Sequence, residues 1–595
     1  MALRKKVLFL QLPQIDNDLH GDTENIPLAA AYLQYAAEQE GASPTHEFIH
    51  LPESATAYDN PNLLSVMVNL KPDIIVCTLY LWNIERTVRM MQEFRTLQPT
   101  VRILFGGPEA AMSHPFLFKR PIADAIVVGE GETVFPALLR SFKTRQPVNF
   151  STVAIRTPKG YRWGTRLPAP VRLSHQIPPP GYEACRPDAK GMAYLETSRG
   201  CPRHCTYCRY PHLRRSMSFL EPDDILSQIA ALLKLGAREI RFVDPTFNAH
   251  PRFRDILLRL AAFNRKGSLS FFAELNAERV TDEEADLLAK ARFVDIEVGV
   301  QSRDATVLKA IRRPTSLIRL DAGIKRLTRR RIRTTVDIMY GLPTQRLKDV
   351  RQSLNWALKL RHANIQCLQT LLLPGTELRE LRAEWRIQSQ ALPPYAVTKT
   401  STLSPGDFQS VEHMIAQHPT LRSDVPTPRF VGRKLDLFAE QITASSPPRP
   451  CVAGEHDWPK MQAFGSHRPF LPHEAAGDLG PIPGTQNRRA FLFTGADLFA
   501  RRKAIASFIG RAIRELPDNL FQFVLVPEAE EPLDLLDELI AIIRRHPSHL
   551  IDRYASVALK NKIASRRLMI QLPRGRSISR EWTDDADSIL SAAFF

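Results

Sequence analysis

Three cysteines fall within eight positions of the 595-residue chain, in Cys201-Pro-Arg-His-Cys205-Thr-Tyr-Cys208. Thiolates separated by three and then two residues can take three corners of one iron–sulfur cluster and leave its fourth iron open. The same thiolates with His204 could instead complete a tetrahedral zinc site, although closed zinc sites ordinarily use two separated pairs and no second pair follows. Seven cysteines in all are too few for a disulfide framework in so long a chain. The crowding of three of them therefore points to metal ligation in a reducing compartment. Cys77, Cys185, Cys367 and Cys451 read as ordinary thiols.

The elements that would position this loop are legible as alternating apolar runs and helical patterns. Over residues 1–149 the runs Val7–Gln11, Glu47–Leu51, Ile74–Leu79, Val101–Phe105 and Ala125–Val128 alternate with helices, which predicts a doubly wound parallel sheet. Ligands of such sheets lie beyond the carboxyl ends of the strands. There the sequence places Tyr80, Trp82 and Asn83, then Gly106, Gly107 and Glu109, then Gly129, Glu130 and Gly131. Glycines let backbone approach a large flat ligand, and Tyr80 and Trp82 could cover one. Glycines also shape plain βα turns; three such turns on one sheet edge favour a site.

Residues 150–190, with a hairpin-like piece Thr152–Trp163 and the Pro-rich stretch Leu167–Pro187, read as a connector. Residues 191–395 then give six βα units, predicting a (β/α)6 partial TIM barrel. The cysteine loop follows the first of these strands, and Glu274, Glu297, Gln301 and Asp337 fall at or near later strand ends, where barrel active sites are built. Any of the four could equally be an ion-paired rim group. Residues 396–595 read as a separate α+β region with a Pro/His/Gly-rich loop at 444–488.

The motif CxxxCxΦC, with Tyr207 as its aromatic residue, resembles the radical S-adenosylmethionine (SAM) superfamily. Further strand-end marks resemble the cobalamin-dependent (class B) branch of methyltransferases: Asp244-Pro-Thr-Phe247-Asn248, Glu274 within Phe-Ala-Glu-Leu-Asn276, Glu297-Val-Gly299-Val-Gln301-Ser302, Gly341-Leu-Pro343 and Pro374-Gly375-Thr376. The resemblance covers roughly residues 1–380. It implies a [4Fe–4S] cluster on Cys201, Cys205 and Cys208 and SAM at the open iron. It also implies cobalamin on the N-terminal sheet, and roles for Tyr207, Glu297 and Gln301 in holding cofactor and for Glu274 and Asp337 in catalysis. The chain departs from the DxHxxG cobalamin loop: Asp18-Leu19-His20-Gly21-Asp22-Thr23 has threonine in the glycine's place, which puts His20 in doubt as a cobalt ligand.

The expectation is a cytoplasmic methyltransferase that moves a methyl group from SAM, by way of cobalamin, to an unreactive carbon of a small molecule or peptide precursor. An external electron donor such as flavodoxin or ferredoxin would serve it. The layout also looks similar to the tryptophan C2-methyltransferases of thiopeptide antibiotic biosynthesis. Two alternatives remain: a cobalamin-binding radical enzyme that cyclises or rearranges its substrate without methyl transfer, and a zinc-stapled nucleic-acid-binding protein. The net charge of +17 and the run Lys325–Arg333 speak for the latter. Against it, the run ends an amphipathic helix, where cations suit the helix dipole. No apolar run approaches the roughly 20 residues that would span a bilayer.

Overall fold

The computed structural model describes residues 4–594 apart from 14–25, 211–215, 423–487, 554–564 and 571–577 and the shorter breaks 52–54, 56–57, 120, 145–147, 172, 174–176, 189, 419–420 and 496. His20 and residues 444–487 of the expected 444–488 loop lie outside the described residues, and Arg488 opens a strand. The described chain divides into two compact units, one from 1–12, 24–51 and 70–424, the other from 13–23, 52–69 and 425–595.

In the first unit, β1 (Lys5–Leu10), β2 (His46–His50), β3 (Ile74–Thr78), β4 (Arg102–Gly106) and β5 (Ala125–Val127) form a parallel sheet in the order β2-β1-β3-β4-β5. The order reverses between β1 and β3, which opens the crevice that such sheets use for ligands. The strands are near-continuous apolar runs because helices such as Leu28–Gln39 and Phe135–Thr144 accompany the sheet, and Val7, Val76, Leu104 and Leu138 meet in its core. The hairpin read as part of the connector extends this sheet instead. Its strand β6 (Val153–Thr157) pairs antiparallel with β5, and β7 (Gly160–Trp163) pairs antiparallel with β6.

The second sheet of this unit contains the six expected parallel strands: β8 (Met192–Leu195), then, after the short hairpin β9 (Ser198–Arg199) and β10 (Ser218–Phe219), β11 (Glu239–Phe242), β12 (Ser270–Glu274), β13 (Phe293–Gln301), β14 (Arg333–Tyr340) and β15 (Ala363–Gln369). The antiparallel pair β16 (Gln388–Ser389) and β17 (Val397–Lys399) follows, and β18 (Leu421–Arg422) adds a seventh parallel strand beside β15. Phe242, Phe271 and Phe293 stack at the centre of the barrel core, with ring centroids 5.3–6.0 Å apart. The helix Asp282–Ala291 begins where Thr281 and Glu284 form a reciprocal capping box and ends at Arg292 in the left-handed region.

The second unit contains β19 (Arg488–Gly495), β20 (Leu520–Pro527) and β21 (Arg566–Ile570), all parallel, alternating with the helices Arg502–Glu515, Asp534–Arg544 and Arg580–Phe594. The region read as α+β is therefore α/β. All eight residues of β20, apolar but for Gln522, are buried, as suits a central strand covered on both faces, whereas β19 and β21 each begin with two arginines. Among the described residues no helix is long and apolar enough to cross a membrane.

Candidate functional site

The cysteine loop starts two residues after β9 ends, and its approach is fixed by Asp244, two residues beyond β11. The Asp244 carboxylate accepts hydrogen bonds from the Thr197 amide and hydroxyl, each 3.1 Å away, and from the Ser198 amide. Burial pushes this carboxyl up to about 7, with the Ser198 contact opposing the shift. Within the loop the Cys201 Sγ lies 3.8 Å from the Thr246 hydroxyl, and the Cys208 amide donates to the Cys205 carbonyl at 3.1 Å. Arg313 Nη1 donates to the buried Cys205 Sγ at 3.5 Å while Nη2 holds the Gly299 carbonyl at 2.6 Å.

All three thiols are free. Among the described residues no three His, Cys, Asp or Glu side chains gather round a point that one metal ion could occupy. A loop with three thiols, and a guanidinium against the middle one, suits a larger anionic cluster whose charge a neighbouring cation stabilises.

The polar residues expected at the barrel rim come together on adjacent strands: Glu274 pairs in register with Glu297, and Gly299 with Asp337. Desolvation in the cleft, then the negative charges of Glu297 and Asp244, push the Glu274 carboxyl up to about 7. Gln301 sits at a register shift in β13 with φ +65°, and its buried Oε1 has no hydrogen-bond partner among the described residues. A buried acceptor that none of the described donors reaches suits a ligand that brings one, as the ammonium or ribose of SAM does. Tyr207 packs with Leu308, Ile311 and Met339.

The turns of the N-terminal sheet line one cavity of about 530 Å³. Tyr80, Trp82, Gly106, Gly107, Gly129, Glu130 and Gly131 face it, and Tyr80 and Trp82 stack at 4.4 Å with 9° between their planes. Gly107 has φ +98°, and a Cβ there would fall 2.7 Å from the Leu79 carbonyl, so only glycine lets this turn fold back on β3. A cradle with bare backbone on several sides and a flat aromatic pair fits cobalamin. Two residues expected to touch it do other work. Asn83 accepts from the Tyr80 amide (2.9 Å) and donates to the Leu12 and Thr78 carbonyls, holding the aromatic turn. The Glu109 carboxylate is buried against His114 and the Tyr395 hydroxyl.

The same cavity is walled by the barrel, through Tyr194, Glu196, Arg199 and Tyr210. Arg199 reaches Glu132 at 2.7 Å and Glu130 at 3.5 Å from the N-terminal sheet and Glu196 at 2.8 Å from its own. Arg199, Arg209 and Arg313 were missed in the sequence, where their only signal is that the first two flank the cysteine motif. Three of the six cations in the basic run Lys325–Arg333 sit in ion pairs: Arg326 with Asp282, Arg330 with Asp282 and Asp286, and Arg333 with Asp295.

Residues 195–357 match the radical SAM superfamily and residues 20–139 the B12 binding domain. Over 392 residues the chain is 26% identical to the cobalamin-dependent radical SAM methyltransferase TokK of Streptomyces tokunonensis, covering 59% of this chain and 54% of that one. It is 25% identical over 385 residues to the 2-(S-pantetheinyl)-carbapenam-3-carboxylate methyltransferase of Streptantibioticus cattleyicolor, again covering 59% and 54%. The chain thus spans about half the length of these relatives. Among solved structures, the radical SAM methyltransferase TsrM of Kitasatospora setae, with tryptophan and a SAM analogue bound, superposes with a TM-score of 0.54 at 16% identity. That match covers 67% of this chain and 80% of TsrM, a likeness of fold.

Proposed function

We propose that this chain, which joins a B12-binding domain to a radical SAM domain, is a cobalamin-dependent radical SAM methyltransferase acting on an unreactive carbon of a small molecule or peptide precursor. The observation that carries the reading is the shared cavity. Its floor is the glycine-rich turns and the Tyr80–Trp82 pair, and its far wall, Glu196 to Gly200, runs directly into Cys201. Similarity to TokK and to the carbapenam-3-carboxylate methyltransferase supports methyl transfer as the reaction.

Cys201, Cys205 and Cys208 would hold the cluster, with SAM at its open iron. Bound together, the cofactors supply a methyl carrier and a source of electrons or of a carbon radical. The chain's own residues orient and insulate. Asp244 and Arg313 fix the cysteine loop, Gln301 offers an acceptor to SAM, and Glu274 is poised to hold or release a proton near neutral pH. A one-electron donor such as flavodoxin or ferredoxin would reduce the cluster. Three free thiols for a cluster fit a reducing compartment such as the cytoplasm.

The test is reconstitution with iron, sulfide and hydroxocobalamin without oxygen, followed by reaction with SAM deuterated in its methyl group. Near-stoichiometric cobalt, about four iron per chain, and deuterium in product are expected. Deuterium absent from a product that still forms would favour cyclisation or rearrangement; zinc in place of iron would overturn the reading.

A further inference from the structure

Arg209 follows the cluster ligand Cys208 directly, yet its guanidinium points away from the loop and into the boundary with the N-terminal sheet. Nε donates to the Pro108 carbonyl (3.3 Å), Nη2 to the Ala110 carbonyl (3.0 Å) and Nη1 to the Gly375 carbonyl of the barrel (3.1 Å). Pro108 and Ala110 belong to the turn whose first residues, Gly106 and Gly107, line the cavity. One face of that turn is therefore cofactor cradle, and the other is held by the residue next to a cluster ligand.

The Pro374-Gly375-Thr376 mark is explained by the same contact. Gly375 has φ +73°, and a Cβ on it would lie 2.2 Å from Arg209 Nη1. A second tie crosses the boundary on the same turn. Glu109, between Pro108 and Ala110, accepts from the Tyr395 hydroxyl at 3.2 Å, and His114 Nε2 lies 3.2 Å from that hydroxyl. The Phe116 and Leu117 amides donate to His114 Nδ1, which places the imidazole proton on Nε2, facing Glu109 and Tyr395.

We infer that Arg209 is a positioning residue: a brace between the cobalamin cradle and the cluster loop that fixes the separation of the two cofactors. This rests on the two-cofactor reading above. The acceptors are three backbone carbonyls on two domains, with no carboxylate among them. Only a planar fork with several fixed N–H directions spans them; a lysine ammonium presents its donors from one point. Methyl transfer between two held cofactors is steep in distance, since a misplacement of about 1 Å can cost about 100-fold in rate.

The full chain, loaded with both cofactors and reduced, reports the separation through spin–spin coupling between cob(II)alamin and the reduced cluster in pulsed EPR. In R209Q and R209K, iron and cobalt contents should match the parent. The distance distribution should broaden or shift, and kcat should fall by about 10- to 100-fold with KM for SAM nearly unchanged. Gly375→Ala keeps the arginine and its charge but displaces the guanidinium, and should reproduce the effect. A parent-like distribution in R209Q with both cofactors bound overturns the proposal, as does loss of the cluster from all three variants, which would make Arg209 a cluster-retention residue. A parent chain that takes up iron but no cobalt sinks the two-cofactor reading itself, and this proposal with it, before any variant is made.

Discussion

A carboxylate is judged by what surrounds it, and the buried acids of this chain differ in that respect. Asp244 loses solvation but accepts several protein donors, so its burial is spent on holding the cysteine loop. Glu412, on the helix Pro405–Ala416, is 6% exposed, and its Oε1 has no hydrogen-bond partner among the described residues. Burial alone pushes it from 4.5 to about 8. The folded state therefore binds this proton more tightly than the unfolded chain does. The stability linked to it is fully present below pH 4.5 and is lost as pH rises towards about 8, at about 1.4 kcal/mol per pH unit. Glu412→Gln should flatten this part of the profile and overtake the parent at alkaline pH in urea unfolding followed from pH 5 to pH 9. Parallel profiles would show that the Glu412 carboxyl titrates normally.

At the scale of the element, the βα turns of the N-terminal sheet act through backbone shape. Gly107→Ala would put a Cβ 2.7–2.8 Å from the Leu79 backbone at a φ of +98°. The turn must open, so cobalamin affinity should fall by at least about tenfold, which corresponds to roughly 1.4 kcal/mol. Iron content should hold, because the cysteine loop is built on other strands; cobalt and iron analysis after reconstitution measures both. Loss of both metals together would mean that the turn is needed for folding rather than for the cradle. What could be read in the sequence divides along the same line. The cysteine spacing and the glycine turns are local patterns, and the structure keeps them. Glu109 and Asn83 look like ligand contacts because they sit in those turns. Their partners, Tyr395 and Leu12, lie 286 and 71 residues away, a distance no local pattern spans. The α+β reading of the last 200 residues failed for a similar reason: only one of its three parallel strands, Leu520–Pro527, has a long enough uninterrupted apolar run to stand out.

Across the first unit as a whole, the cavity has one wall from each domain, and Arg199 is where they meet. Its guanidinium faces three carboxylates, two from the N-terminal sheet and one from the barrel, and lies over the Tyr32 ring at 5.6 Å. Three carboxylates against one cation leave this part of the wall net negative, and burial raises the nearby Tyr80 hydroxyl above its ordinary value. An arginine in this position is half-buried and must remain paired, because an isolated buried charge is costly. A ligand that fills the cavity therefore presses on both domains at once. Cobalamin added without iron or SAM should slow amide hydrogen exchange not only at Gly129–Glu132 but also across Tyr194–Arg199 of the barrel. The same experiment on Arg199→Gln should confine protection to the N-terminal sheet. Protection limited to that sheet in the parent would show that the barrel wall does not take part in holding cobalamin. It would also leave the cradle and the cluster loop coupled only through contacts on the far side of the Gly106–Glu109 turn.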